Sequence, residues 1–409
     1  MGDSALTVEF GPALTPEANQ AVRALDSALL RAPFPSFRES VPTLRSLLVL
    51  YDGAREDFEE ARDHVLGLLS SAEDPSPCRV HVIPTLYGGE GGPDLEEVAR
   101  TRGLAKEEVV RLHSESDYVA WMTGFTPGFA YLGSLPHALE TPRRARPRLR
   151  VPAGSVGIAG ALTGIYPVAS PGGWNLIGLT RIPLFDPARE PPALIQPGDR
   201  VRFARVSELP PLPAAKADAP PCGEASMEVL EGGLLTTVQD AGRAGFRRAG
   251  VGGAGPVDPS AHAAANRLAG NPGGAALLEV TLAGPTLRFL SPVRFALGGA
   301  DLGAILMRAD LGEWPCPRGV SVRARPGNVL RFAGRRLGVR AYLAFEGGID
   351  VLPVLGSRST DVLGGFGGFR GRPLRPGDRL FLGSRSGARE TTVSLAEPGA
   401  DVVVRVVLG

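Results

Sequence analysis

The chain has 409 residues, a formal net charge of +1, 43% hydrophobic residues, 54 glycines and 38 prolines. This balance excludes a disordered chain and a broad basic field for nucleic acid or anionic lipid, and it suits many turns joining short strands. Cys78, Cys222 and Cys316 are too dispersed for a structural zinc site, no apolar run reaches the ~18 residues of a membrane span, and MGDSALTVEF lacks a signal peptide's regions, so a cytoplasmic protein is expected.

Residues 5–87 alternate strand and helix. ALTVEFG reads as a strand, and Thr15 with Pro16 starts a helix that places Val22, Leu25 and Leu29 on one face. SLLVLYD is a short buried strand, a second helical stripe runs through Phe58, Ala61, Val65 and Leu68, and CRVHVIPTLYG is a strand again. This β-α-β-α-β order predicts a ferredoxin-like α/β sandwich over residues 1–87. Residues 94–114 read as two short helices around Gly103; their acids outnumber their bases, which favours a hairpin packed on a barrel over a DNA-reading unit. From residue 114 to 206 short apolar runs alternate with Pro- and Gly-rich turns, as in a small β-barrel, and a barrel domain is expected over 88–206. A Pro/Ala linker is predicted over 207–226, and a second β-barrel-type part over 227–409, with one helix capped by Asp258 and Pro259 and stopped at Gly270-Asn271-Pro272. The fold class is therefore mainly β with α+β. QPGDRVRF, RPGNVLRF and RPGDRLFL each predict a type II turn leading into a strand.

Four segments carry more Gly, Pro and polar residues than folding needs. GFTPGFAYLGSLP supplies Phe125, Pro127 and Gly128. TPRRARPRLRVPAGSVGIAG supplies Arg143, Arg144, Arg146, Arg148 and Arg150 ahead of Ser155, and suits a carboxylate or phosphate unless it is a solvated edge. TGIYPVASPGGWNLIG, without a charge, supplies Thr163, Tyr166, Ser170, Gly172, Gly173 and Trp174; the other reading is a tight barrel corner. TTVQDAGRAG supplies Gln239, which could present an amide to a ligand, and Asp240 and Arg243, which are close enough in sequence to pair as a buried clamp. His113 is a candidate general base or a structural histidine at a helix end. Lys106 and Lys216 are the only lysines, so no G-x-x-x-x-G-K-[ST] phosphate loop exists and a Schiff-base lysine is not expected.

These stretches resemble a known family. YGGEGGPDLEEVA, GFTPGFAYLGSLP, VPAGSVGIAGALTGIYPVASPGGWNLIG and LIQPGDRVRF resemble the B subunit of the bacterial ATP-dependent 5-oxoprolinase, which is related to the kinase-A inhibitor of sporulation and to allophanate hydrolase subunit 1. TTVQDAGRAGFRRAGV, GPVDPSAHAAANRLAGNP, GVRAYLAFEGGIDV and GSRST resemble the C subunit of the same enzyme, and both halves are similar to the carboxyltransferase region of urea carboxylase. The resemblance implies a B–C fusion with a ferredoxin-like domain, a cyclophilin-like barrel and further β-barrel domains. It implies ATP-dependent opening of 5-oxoproline to glutamate with a separate A subunit, ATP and Mg2+ at a site shared with that partner, and an oligomer. A protein ligand restraining a histidine kinase, or an amide-handling protein of the urea carboxylase or allophanate hydrolase type, is the alternative. His113, Tyr166, Gln239 and Asp240 are then the candidate catalytic residues; Phe125, Pro127, Gly128, Arg143, Arg148, Ser155, Thr163, Ser170, Gly172, Gly173, Trp174 and Arg243 are the candidate substrate-binding ones. No metal ligands, nucleic-acid partner or membrane partner are expected. The C subunit normally continues past VVVRVVLG, so an incomplete C part, and no turnover by the chain alone, are expected.

Overall fold

The computed structural model describes residues 4–72, 79–211 and 224–384. The chain divides into two compact units, Met1–Lys216 with Ala244–Gly253, and Ala217–Arg243 with Ala254–Gly409. The Pro/Ala stretch 212–223 and the C-terminal segment 385–409, on which the expectation of an incomplete C part falls, lie outside the described residues.

In the first unit β1 (Ala5–Glu9), α1 (Pro16–Arg31), β2 (Phe37–Pro42), β3 (Ser46–Tyr51) and α2 (Phe58–Leu68) form an α/β layer. Thr15 Oγ1 accepts from Ala18 N, with Pro16 at the first helical position, and Asp57 with Glu60 closes a capping box at α2. Val22, Leu25 and Leu29 of α1 and Ala61 and Val65 of α2 pack on Leu47 and Val49 of the sheet, whose order is β1-β3-β2. The sequence assigns the strand CRVHVIPTLYG to this layer; the third strand is instead β2, which the apolar pattern of FRESVP conceals.

That displaced strand, β4 (Val80–Tyr87), enters a barrel. It is followed by α3 (Leu95–Arg102), α4 (Lys106–Ser114), β5 (Tyr118–Thr123), β6 (Ala130–Gly133), β7 (Arg148–Val151), β8 (Ser155–Ala159), β9 (Leu162–Ile165), β10 (Ser170–Gly172), β11 (Asn175–Leu179) and β12 (Arg200–Arg205). Seven of these strands close a barrel in the order β11-β4-β12-β5-β6-β9-β8, while β7 and β10 form a separate two-stranded ribbon. β4 runs parallel to β12 with Val80 opposite Arg200. α3 and α4, a hairpin with Gly103 left-handed at its turn, bury Leu95, Val98, Val109 and Val110 with Ile83, Ile158 and Phe203 of the barrel.

The second unit contains β13 (Met227–Glu231), β14 (Leu235–Gln239), α5 (Pro259–Leu268), β15 (Leu277–Thr281), β16 (Thr286–Phe289), β17 (Val293–Asp301), β18 (Ala304–Arg308), β19 (Gly312–Pro315), β20 (Ser321–Ala324), β21 (Val329–Phe332), β22 (Leu337–Phe345) and β23 (Arg379–Leu380). The β-barrel-type part takes the form of two sheets, β19-β18-β21-β16-β13-β23 and β14-β15-β22-β17-β20. Met227, Leu287, Phe289 and Leu330 of the first meet Leu278, Phe295 and Leu343 of the second in one core. α5, capped by Asp258, packs Ala265 and Leu268 on Leu277, Ala296 and Tyr342.

The three Pro-Gly turns share one construction. Gly198, Gly327 and Gly377 have φ of 96°, 84° and 86°, the left-handed value a type II turn requires at its third position. The next residue's N–H donates back across each turn, Asp199 to Gln196 O, Asn328 to Arg325 O and Asp378 to Arg375 O. Its side-chain oxygen accepts from the turn's first N–H at 2.9, 2.9 and 2.7 Å respectively. Asp or Asn follows Gly each time because a short acceptor must reach that N–H.

Candidate functional site

The first unit gathers the neutral loop, the GFTPGF loop and part of the arginine stretch at one place. Phe129 and Tyr131 from β6 and its approach pack edge-on to Trp174 with ring centroids 5.6 and 5.8 Å apart, and Phe129 lies 5.3 Å from the Tyr166 ring. Phe125, exposed and with a φ of 67°, stands edge-on to Phe129 and Tyr166. A left-handed phenylalanine is strained, and only its surroundings can hold it there. Pro127 and Gly128 behind it are buried. Gly172 sits opposite Arg148 across the ribbon of β7 and β10, and a side-chain carbon on it would fall 2.4 Å from Tyr166 Oη. Glycine is required there so that ribbon and phenol can touch. Gly173 O accepts from Arg144 N at 2.8 Å, tying the loop to the arginine stretch.

The arginines divide by role. Arg143, Arg146 and Arg150 are exposed. Arg144 Nη1 and Arg148 Nη2 each donate to Asp94 Oδ1 at 2.7 Å, and Asp94 Oδ2 accepts from Leu176 N at 2.7 Å. Asp94, which by sequence is only one acid of the helical hairpin, is the buried hub of the cluster. It stands where an N-cap would, yet makes no side-chain cap bond to α3, because the carboxylate is turned toward the arginines. The preceding GGEGG allows this: a side-chain carbon on Gly92 would meet Ile177 O at 2.2 Å, so only glycine lets the segment lie against β11. The YGGEGGPD motif was the available signal.

Asp94 thus serves two guanidiniums, with the exposed Glu97 carboxylate a further 3.6 Å neighbour of Arg144 Nη1. Arg144 Nε and Arg148 Nη1 are enclosed without a protein partner, as is Ser170 Oγ. These donors fit an anionic oxygen, whether of a carboxylate or of a phosphate such as those of ATP. Burial raises the Tyr166 phenol above its ordinary pKa; a backbone hydrogen bond from Trp174 and the charges of Arg143 and Arg148 act the other way. The hydroxyl is therefore protonated at neutral pH. A neutral phenol under the field of Arg143 and Arg148 can donate a hydrogen bond to an anionic oxygen.

His113 and Thr163 do not belong to this cluster. His113 is fully buried in α4, with Nδ1 2.7 Å from Tyr87 Oη and Nε2 2.8 Å from Thr163 Oγ1. Thr163 Oγ1 donates to Gly157 O at 3.0 Å, so it accepts from Nε2–H, leaving Nδ1 to accept from the tyrosine. Burial pushes the imidazole pKa down to about 3. Both ring nitrogens are engaged, so the general-base reading gives way to a neutral core histidine. Ser155 is buried in the wall of β8, where its carbonyl accepts from Tyr166 N. None of the predicted site residues lines the cavity of about 660 Å3 bounded by Tyr87, Gly88, Pro93, Lys106 and Arg205.

In the second unit TTVQDAGR interlocks with GSRST. Asp240 Oδ1 accepts from Ser357 Oγ, Ser359 Oγ and Gly242 N at 2.6, 2.7 and 2.9 Å, and Oδ2 accepts from Arg358 N at 2.6 Å. Burial opposes ionisation, but these bonds outweigh it and hold Asp240 below the usual carboxylate range. Asp240 and Arg243 do not pair with each other; both fasten to Ser359, whose carbonyl accepts from Arg243 Nη2 at 2.5 Å. Arg243 lies over the Phe366 ring with Nε and Nη1 enclosed and unpartnered. Gln239 donates to Thr237 Oγ1 at 3.1 Å and accepts from Gly255 N at 3.0 Å, so both ends of its amide are engaged and none faces a ligand. Sequence reading missed Ser357 and Ser359, because nothing local ties them to a loop more than a hundred residues earlier. Among the described residues, no group of three or more His, Cys, Asp or Glu side chains is placed to hold a metal ion.

Residues 1–195 match the carboxyltransferase domain, subdomain C and D, and residues 249–409 match its subdomain A and B. Over 220 residues the chain is 44% identical to the 5-oxoprolinase B subunit of Bacillus subtilis (strain 168), a match covering 51% of this chain and 92% of that protein. The chain belongs to the family of 5-oxoprolinase B subunits. Its second half is 43% identical over 157 residues to the 5-oxoprolinase C subunit of Escherichia coli (strain K12), covering 38% of this chain and 49% of that protein, so it spans about half of that relative. The crystal structure of TTHA0988 superposes with a TM-score of 0.82 at 39% identity, covering 97% of this chain and 78% of that one. The mainly β fold and the B–C order of the fusion are those the motifs imply. In this chain the YGGEGGPD, TPR and SPGGW stretches meet through the Arg144–Asp94 and Arg144 N–Gly173 O bonds.

Proposed function

We propose that this chain is a component of an ATP-dependent 5-oxoprolinase, opening 5-oxoproline to L-glutamate together with a separate A subunit. The observation that carries the reading is the match to a B subunit over nearly all of that protein, continued in the same chain by a half that is similar to a C subunit. The substrate is a small lactam with one carboxylate. Arg144 and Arg148, backed by Asp94, hold the carboxylate or a phosphate oxygen. Tyr166 donates its hydroxyl hydrogen to the oxygen on which charge develops. Phe125, Gly172, Gly173 and Trp174 form an uncharged wall that fixes orientation and keeps water to the face where it is needed. Bound ATP, with Mg2+, supplies phosphoryl activation of the poorly electrophilic amide, at a site shared with the A subunit. In the second half Arg243, steadied by Ser359, offers further donors for an anion. A coupled assay of ATP-dependent glutamate release, with and without the neighbouring A subunit, tests the proposal. Release that needs both polypeptides supports it; no release with both present sinks it.

A further inference from the structure

The cavity of about 660 Å3 that the arginine and tyrosine cluster leaves unused lies entirely within the first unit. Four pieces of chain meet there. β4 ends at Tyr87, and Gly88 and Gly89, left-handed at φ of 74° and 57°, swing the backbone off the barrel. Gly92 N donates to Gly88 O at 3.0 Å and closes this arch, which forms one wall. β12 ends beside β4, where Val206 N donates to Thr85 O at 3.0 Å. α3 and α4 both start at the cavity, bringing Leu95 and Glu96 from one and Lys106 and Glu107 from the other.

The lining has two characters. Tyr87, Leu95, Val110 and Val206 supply apolar surface, and the Tyr87 hydroxyl is already engaged by buried His113. Around them stand two acids and two bases, Glu96, Glu107, Lys106 and Arg205. Lys106 Nζ donates to Glu96 Oε1 at 2.9 Å, so this acid and this base answer each other. Arg205 and Glu107 are exposed and make no hydrogen bond or ion pair with any described residue. One base and one acid are left for a ligand. A lone anion would meet Arg205 but face Glu107, and a lone cation the reverse; a molecule with both charges satisfies both. The volume, worth about 20 waters at ~30 Å3 each, exceeds a single amino acid and falls within the ~300–1,000 Å3 of small-ligand sites. We infer that this cavity is a second ligand site, for a short apolar peptide with free termini. Arg205 takes its carboxylate, Glu107 its ammonium, and the Tyr87, Leu95, Val110 and Val206 surface its side chains. Gly92 and Pro93 of the wall directly precede Asp94, so the occupant and the arginine cluster share one support.

Isothermal titration of the full chain with L-leucyl-L-leucine, with its N-acetyl and C-terminal amide forms, and with leucine tests this. The free dipeptide is expected to bind saturably with a Kd at or below about 1 mM, and each blocked form at least about 10-fold more weakly. Arg205→Gln should weaken the free dipeptide by about 10-fold and bind the amide equally well, because the carboxylate no longer has its partner. Glu107→Gln should likewise erase the discrimination against the N-acetyl form. Both side chains are exposed, and circular dichroism checks that each variant is folded as the parent is. No saturable binding of the dipeptide up to about 10 mM would overturn the inference. So would blocked forms, or leucine alone, that bind as tightly as the free dipeptide, and variants that keep the parent's discrimination.

Discussion

Replacing Asp94 by Asn tests whether the arginine cluster is built on one carboxylate. The substitution keeps size and one acceptor, which can still receive Leu176 N, but removes the charge and points an amide donor at two guanidinium donors 2.7 Å from the former Oδ1. Asp94 is 4% exposed at its side chain while its partners are 30% and 25% exposed, so the arginines recover part of their hydration and the carboxylate's loss is only partly offset. Truncating one member of a buried charged set costs about 3–5 kcal/mol; with this solvation allowed for, about 2–4 kcal/mol is expected. At roughly 2–4 °C per kcal/mol for a unit of this size, Tm should fall by about 4–16 °C. Differential scanning calorimetry of the parent, Asp94→Asn, Arg148→Ala and the double variant measures it. Once Asp94 is gone, Arg148→Ala should cost less than it does in the parent, with a coupling of at least about 1 kcal/mol. A Tm unchanged by Asp94→Asn, or strict additivity in the cycle, would refute the hub.

Further outcomes are expected elsewhere. His113 has a folded pKa near 3 against an ordinary 6.5, so the unfolded chain takes up its proton first and stability falls as pH drops below 6.5, by about 1.4 kcal/mol per pH unit; His113→Asn should flatten that slope in pH-dependent urea titrations, and an unchanged slope would remove His113 from the acid sensitivity. Ser359→Ala strips Asp240 of one donor and leaves the Asp240 N–H unmatched, costing about 1–3 kcal/mol; because Asp240 is depressed from 3.8, the part owed to the lost donor should be full above that pH and fade as pH falls through the folded value, while the part owed to the N–H persists. Gln239→Ala should lower Tm along with any activity, since both amide ends are structural; activity lost at constant Tm would return Gln239 to the site. Gly172→Ala, which forces a carbon against Tyr166, should displace the phenol at a cost of about 1–3 kcal/mol and quench turnover of the assembled enzyme, and unaltered kinetics would show that the wall is not used.

What was legible in the sequence was what a few adjacent residues decide. Thr15-Pro16 and Asp258-Pro259 start helices because a cap and a preset φ act within one turn, and the Pro-Gly turns repeat because their bonds close over three residues. Partners far along the chain were not legible. Val80–Tyr87 has the composition of any half-buried strand, and only pairing with β12, over a hundred residues on, assigns it to the barrel. The arginine stretch announced positive charge but not that Arg144 and Arg148 would share Asp94, some fifty residues earlier. His113 looked versatile because its neighbours in sequence are charged, whereas Tyr87 and Thr163, which fix its tautomer, arrive from two barrel strands. Asp240 and Arg243 looked like a pair by spacing; the GSRST serines intervene because they offer shorter reach to both.

The decisive measurement is glutamate formed from 5-oxoproline and ATP by the purified chain, by the A subunit, and by the two combined. Robust ATP-dependent release from the mixture alone, diminished in the mixture by Arg148→Ala, is the predicted result. Release by the chain without its partner, or none from the mixture, would contradict it.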